Sequence, residues 1–326
     1  MSQVATGATP ADRFAGIELA EVASGLLFPE GPIAMDDGSV ILVEIARGTL
    51  SRVQPDGSVE VVVECGGGPN GAAIGPDGAV YVCNNGGCFT WIDFGTLLFP
   101  GPLPAEWTGG SIQRVDLVTG AVEVLYDACD GRPLRAPNDL VFDAHGGFWF
   151  TDHGVREERS SDRTGVFYAK ADGSHIAEVM FPLDAPNGIG LSPAGDRVYV
   201  AETYTGRVWQ WTVTGPGQVA EGLPINAGGE LLYGAAGHAL FDSLAVDGDG
   251  NICVATLSTA GISVISPLGA DHPDGGVEFL ATGDPLTTNI CFGGDELRTA
   301  WITLSGTGRL VTCRWPTSGL PLAHHS

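Results

Sequence analysis

The chain has 326 residues, 44% of them hydrophobic, with 49 Gly and 21 Pro, enough for a large core crossed by many tight turns. Its 39 acidic and 15 basic residues leave a formal charge of −24, which disfavours nucleic acid and anionic membranes as partners and attracts cations. No apolar run reaches 18 residues, so no membrane-spanning helix is expected, and residues 1–13 lack the basic-then-apolar order of a signal peptide.

Seven cysteines, an odd number in no zinc-binding spacing, point to reduced thiols and a cytoplasmic protein. Cys83 and Cys88, either side of Asn84-Asn85-Gly86-Gly87, are a pair that could bond.

Residues 1–14 read as a flexible N-terminal tail. Residues 17–23 alternate apolar and polar, which predicts one strand without a sequence neighbour to pair with. A phrase then begins that recurs: a polar residue, a short apolar run, a Pro/Gly/Asp turn, a second apolar run. It starts at Phe28-Pro29-Glu30-Gly31, Gly68-Pro69-Asn70-Gly71, Ala136-Pro137-Asn138-Asp139, Ala185-Pro186-Asn187-Gly188, Phe241-Asp242-Ser243 and Thr288-Asn289-Ile290. The leading polar residues are 40, 68, 49, 55 and 47 positions apart. Hairpins at a period of roughly 40–50 residues mark a propeller, and six copies predict six blades around a channel. Each leading residue opens the innermost strand of its blade, so all six approach one axis.

A second strand pair follows each hairpin, as at 49–53 and 59–63, or at 207–211 with a return near 218–220. Blades of four strands result. The sixth repeat stops after its third strand, 309–314, and residues 17–23 are expected to complete it, closing the ring and covering an edge. The expectation is an all-β, six-bladed β-propeller over 15–316, its last blade closed by the N-terminal strand, with 317–326 as a C-terminal tail.

The long second spacing marks an insertion at 84–110, carrying Phe89, Trp91, Phe94, Phe99 and Trp107 among three prolines. Such a segment suits a lid over a binding site, or a loop packed on its own blade or in a subunit contact.

Two ring residues, Glu30 and Asp242, are carboxylates; Asn70, Asn138, Asn187 and Asn289 are amides. Carboxylates converging in a channel repel unless a proton or cation lies between them. Oxygen donors suit Ca²⁺, Mg²⁺ or Mn²⁺. Zn²⁺ is less favoured, since no His or Cys holds a ring position. The plainer alternative is that these side chains cap strand ends and bond channel waters, Asn-Gly being a common turn pair. There is no G-x-S-x-G, H-E-x-x-H or G-x-x-x-x-G-K-[ST] motif. His153, closing the third hairpin near a channel mouth, and His238 read as polar loop residues before catalysts.

Phe28-Pro29-Glu30-Gly31-Pro32, Pro137-Asn138-Asp139, Pro186-Asn187-Gly188, Phe241-Asp242-Ser243 and 287–294 together resemble the motifs of the SMP-30/gluconolactonase/LRE family. The resemblance covers about 16–315. It implies a six-bladed propeller that binds one divalent cation and hydrolyses a small-molecule lactone. It implies Glu30, Asn187 and Asp242 as metal ligands, Asn138 as a fourth ligand or a substrate contact, and Asp242 as general base. Arg135, Asn70, His153 and Asn289 complete the candidate substrate contacts. Arg135 is separated from Asn138 by a proline, a departure from the family's pattern, and the aromatic insertion suits a bulkier or more apolar lactone than a sugar acid. Two rival functions are a metal-dependent lyase or isomerase acting through an enolate, and a non-catalytic propeller that a metal merely ties together. Either a monomer or a homo-oligomer fits.

Overall fold

The computed structural model describes residues 13–223 and 225–324, so most of the expected N-terminal tail lies outside the described residues. Six antiparallel sheets are arranged as blades, each beginning on its innermost strand. The innermost strands are Pro29–Ala34, Pro69–Ile74, Pro137–Phe142, Pro186–Leu191, Leu240–Val246 and Thr287–Gly293, which define blades one to six. Each is followed by a second strand rich in β-branched and aromatic residues and almost wholly buried, such as Val40–Glu44 and Gly147–Asp152. Neighbouring blades pack face to face over apolar clusters. Val43, Leu50, Val80 and Val82 join blades one and two, and Tyr81, Ile112, Phe142 and Phe148 join blades two and three. Leu310 meets Val40 and Leu42 where blade six meets blade one.

Ala20–Ser24 pairs antiparallel with Arg309–Arg314, so the two ends of the chain share the sixth blade. The fourth blade differs from expectation. Its outer strand is Glu230–Gly234, paired with Arg207–Gly215, while Gln218–Val219 reaches only the far end of that strand. Two residues are too few to cover a nine-residue strand, and a later segment takes the edge.

Residues 317–324 also differ from a tail. The Gly319 N–H donates to the Leu297 carbonyl at 2.7 Å and the Leu320 N–H to the Val246 carbonyl at 3.2 Å. Leu320 packs on the core between blades four and five, Ala323 on that between two and three, and the His324 ring stands edge-on to Phe142. Apolar side chains draw this segment across the lower ends of the inner strands. Among the described residues no helix is long and apolar enough to cross a membrane.

Every inner strand breaks register at or beside its leading polar residue. In blade three Pro137 faces Asp152 and Leu140 faces Phe150, leaving Asn138 and Asp139 opposite Thr151 alone. The same two-against-one step occurs at Asn70-Gly71, Asn187-Gly188 and Asp242-Ser243, and one residue later at Gly31-Pro32; blade six breaks between Thr287 and Asn289. A β-bulge re-aims a side chain and sharpens local twist, and here it recurs around one axis. The Asn-Gly pairs are thus bulges within strands, not turns. Glycine is required by closeness: a Cβ on Gly71 would lie 2.5 Å from the Asn138 carbonyl, and one on Gly188 2.5 Å from the Leu244 nitrogen. Gly188→Ala is expected to lower the unfolding free energy by about 1–3 kcal/mol in urea denaturation, since backbone must move. Gly276→Ala, where an added Cβ meets nothing within 4 Å, should change it by less than about 0.5 kcal/mol.

Candidate functional site

The loops that deliver the ring residues are clasped by a polar side chain ending the second strand of the same blade. Glu44 accepts from the Leu27 N–H at 2.7 Å, Asn84 from Gly68 at 3.0 Å and Glu202 from Asp184 at 2.8 Å. Asp152 accepts from the N–H groups of Arg135 and Ala136, both at 2.7 Å, and of Gly154 at 3.0 Å. These buried carboxylates and amide satisfy donors that no strand could reach. They also hold strained backbone: Phe28 and Ala185, before Pro29-Glu30 and Pro186-Asn187, lie at φ 58° and 50°. Such left-handed residues cost on the order of 1–3 kcal/mol each and persist where the surroundings over-determine them.

Glu30, Asn70, Asn138, Asn187 and Asp242 line one cavity of about 120 Å³ at the upper end of the channel. Five of the six ring residues therefore meet. The sixth, Asn289, is buried and acts from behind: its Nδ2 donates to Glu30 Oε2 at 2.6 Å, beside the Gly31 N–H at 2.6 Å. Asn187 Nδ2 donates to Thr203 Oγ1 at 3.1 Å, and the Asn187 side chain also bonds Asp242.

The cavity's charge is uncompensated. Among the described residues neither Glu30 nor Asp242 forms an ion pair. Burial, then the Asp242 charge, holds the Glu30 carboxyl well above the usual carboxylate range. Burial pushes Asp242 up to about 7 despite the Asn187 hydrogen bond, and the Asp139 charge adds to the rise. Asn138 Oδ1 is buried without a hydrogen-bond partner. Two carboxylates lacking a counter-charge and an amide oxygen lacking a donor form a set that fits a hard divalent cation. Among the described residues no three His, Cys, Asp or Glu side chains group as a metal site, so a cation here would draw on amide oxygens as well.

Asp139, overlooked in the sequence, is buried one residue past Asn138. It accepts from the N–H groups of Leu140, Ile189 and Leu244 and from the Ser243 hydroxyl, tying blades three, four and five together, and burial lifts its carboxyl to about 7. Arg135 does not line the cavity. Its guanidinium bonds Asp162 at 2.8 Å and lies 4.6 Å from the Trp107 ring centre, so it braces the insertion. His153 does line the cavity. Its Nδ1 is 3.1 Å from the Gly154 carbonyl, its ring stands edge-on to Tyr204, and burial lowers its pKa, favouring the neutral imidazole. All seven cysteines, Cys83 and Cys88 included, are unpaired thiols.

The insertion crosses the upper face. Its hairpin, Trp91–Asp93 with Leu98–Pro100, packs Trp91 against Phe28 of the first blade, and the Leu98 N–H donates to Gly306 of the sixth at 2.8 Å. A second cavity of about 390 Å³ adjoins the first, sharing Cys88, Phe89, Pro100, His153, Tyr204 and Leu286.

A gluconolactonase from Zymomonas mobilis is 27% identical over 309 residues, covering 87% of this chain and 78% of its own. A gluconolactonase structure from Xanthomonas campestris superposes with a TM-score of 0.71 at 20% identity, covering 94% of this chain and 92% of its own. Regucalcin from Agrobacterium tumefaciens, a calcium-binding protein, superposes with a TM-score of 0.70 at 16% identity, covering 96% and 98%. Residues 28–306 match the SMP-30/Gluconolactonase/LRE-like region, which takes in all six ring positions. The chain belongs to the SMP-30/gluconolactonase/LRE-like family.

Proposed function

We propose that the protein is a lactonase: it hydrolyses the ester bond of a cyclic ester with one divalent cation, Ca²⁺ first among the candidates, held by Glu30, Asn138, Asn187 and Asp242. The observation that carries this reading is the buried Glu30 and half-buried Asp242, neither with an ion-pair partner, sharing a cavity with the orphaned Asn138 oxygen. A gluconolactonase and a calcium-binding protein among the relatives support the reaction and the metal. A cation in this site would polarise the lactone carbonyl and stabilise the negative charge that develops on its oxygen, an effect of several kcal/mol.

The chain's own groups supply the rest. Asp242 takes the proton of the attacking water, a contribution typically about 10²–10⁴-fold. The Asn289 and Gly31 donors fix Glu30 Oε2, so this carboxylate keeps its orientation. Asn70 and His153 face the same cavity as polar contacts for the substrate. The unpaired thiols support the cytoplasmic setting proposed for the protein.

Removal of divalent cations with a chelator should abolish hydrolysis across a lactone panel, and added Ca²⁺ should restore it; turnover that survives complete removal would exclude the mechanism. The pH dependence has a fixed sign. Asp242 rises from an ordinary carboxylate value to about 7 in the cation-free fold, so stability tied to this group is present at low pH and lost as pH climbs toward and past 7. Cation-free protein should therefore lose unfolding free energy between about pH 4 and just past pH 7. Ca²⁺ should restore it, most strongly at the alkaline end, where no proton competes. Urea titrations with and without chelator measure both arms.

Asp242→Asn keeps an oxygen donor and removes the base. Its kcat should fall by about 10²–10⁴ while the folded structure is retained. In chelator at pH 8 it should be at least as stable as the wild type, because one of two repelling buried charges is gone. Wild-type kcat in this variant would take Asp242 out of the base role.

A further inference from the structure

The second cavity has a composition that the reaction itself does not require. The insertion contributes Phe89, Phe99, Pro100 and Leu103 to its wall, and the fifth and sixth blades contribute Leu257 and Leu286. Two of its polar groups are committed to other partners, while the Tyr204 and Ser258 hydroxyls lie toward its exposed side. Thr203 Oγ1 receives the Asn187 amide, and His153 Nδ1 is held at the Gly154 carbonyl. Arg156, the charged residue of this wall, lies with its guanidinium 3.5 Å from the Tyr204 ring centre and 3.5 Å from Asp184. A substrate hydroxyl placed here would lose its water partners and gain few in return, at a cost of about 1–3 kcal/mol for each group left unpaired. Apolar surface placed here gains from the same transfer. The volume, about 390 Å³, lies within the range of small-molecule sites.

The position is as informative as the lining. His153, Tyr204, Phe89 and Leu286 border both cavities, so the apolar chamber opens directly onto the one that holds Glu30 and Asp242. A ring whose carbonyl reaches the lower chamber must extend its substituent into the upper one. The roof is also fixed at both ends: Trp107 Nε1 donates to the Asn85 carbonyl at 2.8 Å on one side, and the Leu98 N–H bonds Gly306 on the other.

Resting on the lactonase reading, we propose that the substrate is a lactone bearing an apolar alkyl or aryl substituent. The lactone ring lies among Asn70, Asn138 and Asn187, and the substituent is seated against Phe99, Leu103 and Leu257 under the insertion. The polar hydroxyalkyl substituent of a sugar lactone does not match that upper chamber. The insertion is thus the specificity-determining element of a common catalytic floor.

The test uses the Ca²⁺-loaded full chain and two matched series. One is γ-lactones with side chains from none to eight carbons, assayed for kcat/KM. The other is the corresponding lactams, which resist hydrolysis, assayed for Kd by calorimetry. Both kcat/KM and affinity should rise by about fourfold per added methylene until the chamber is full. The slope should flatten in Leu103→Asp and in the milder Phe99→Ala, each checked for folding by its thermal unfolding midpoint. A flat series in the wild type, or glucono-δ-lactone preferred over every alkyl lactone, would overturn the inference while leaving lactone hydrolysis intact. A slope unchanged in both variants would overturn the assigned location. No hydrolysis of any lactone alongside a preserved lactam slope would refute the lactonase reading and uphold the apolar chamber.

Discussion

Glu30 and Asp242 come from different blades, lie in one small cavity, and have no Lys or Arg partner among the described residues. Burying even one unpaired carboxylate is costly, and two near each other raise both pKa values. A chain would discard such a pair unless something outside it completed the charge balance. The surroundings fit that reading. The Asn289 amide is spent on orienting Glu30, Asn187 on orienting Asp242, and the Asn138 oxygen is left without a donor. Each amide either fixes a carboxylate or offers a further oxygen, and none supplies positive charge.

The pair can be held together because the channel is narrow, and the channel is narrow because of the bulges. In blades two to five the bulge turns its leading side chain toward the axis, and in several blades the next residue lies against the neighbouring blade. Gly31 abuts Asn70 and Ala72, Gly71 abuts Asn138 and Asp139, and Gly188 abuts Asp242 and Leu244. At blade three the second bulge residue is Asp139, whose carboxylate instead collects donors from the next two blades. The result is a ring of inner strands in backbone contact, locked from outside by Glu44, Asn84, Asp152 and Glu202. Rigidity at this end follows from hydrogen bonds that a carboxylate makes to several amides at once, which are stronger than neutral ones.

The architecture was legible because propellers write their period into the chain. Six polar-led hairpins specified six blades, and a sixth repeat one strand short required the strand that became Ala20–Ser24. Five of the six leading residues line one cavity, and Asn289 stands behind Glu30. What escaped was less periodic. The clasps close the buried second strands at Glu44, Asn84, Asp152 and Glu202; a polar residue ending a buried run was the available signal, and its partners are backbone amides two or three residues before each ring residue, which carry no side-chain signature. Asp139 was hidden by the prominence of Asn138. Arg135 lies in the segment before the inner strand, where Asp162 and Trp107 hold its guanidinium, and sequence proximity to Asn138 does not reveal those partners. The fourth blade's outer strand was missed because Glu230–Gly234 follows a longer excursion, and residues 317–324 because short apolar segments gain their structure only from the surface they cover.

The two chambers divide the work of the molecule. Everything that would hold a cation or move a proton comes from inner strands that the propeller cannot alter without losing its contacts, down to a single Cβ at Gly188. Part of the upper wall's apolar surface comes from the insertion, which blade two could lengthen or replace while Ser111–Val115 still pairs with Val80–Asn84 beneath it. Chemistry fixed on a rigid floor and selectivity carried by a loop is how one fold serves several substrates. In this chain the loop is aromatic and proline-rich, anchored on blades one, two and six, and the cavity beneath it is larger than the one that carries the carboxylates. The larger of the two cavities is therefore lined mainly by apolar side chains, and the selectivity proposed above would rest there and not at the ring of oxygens.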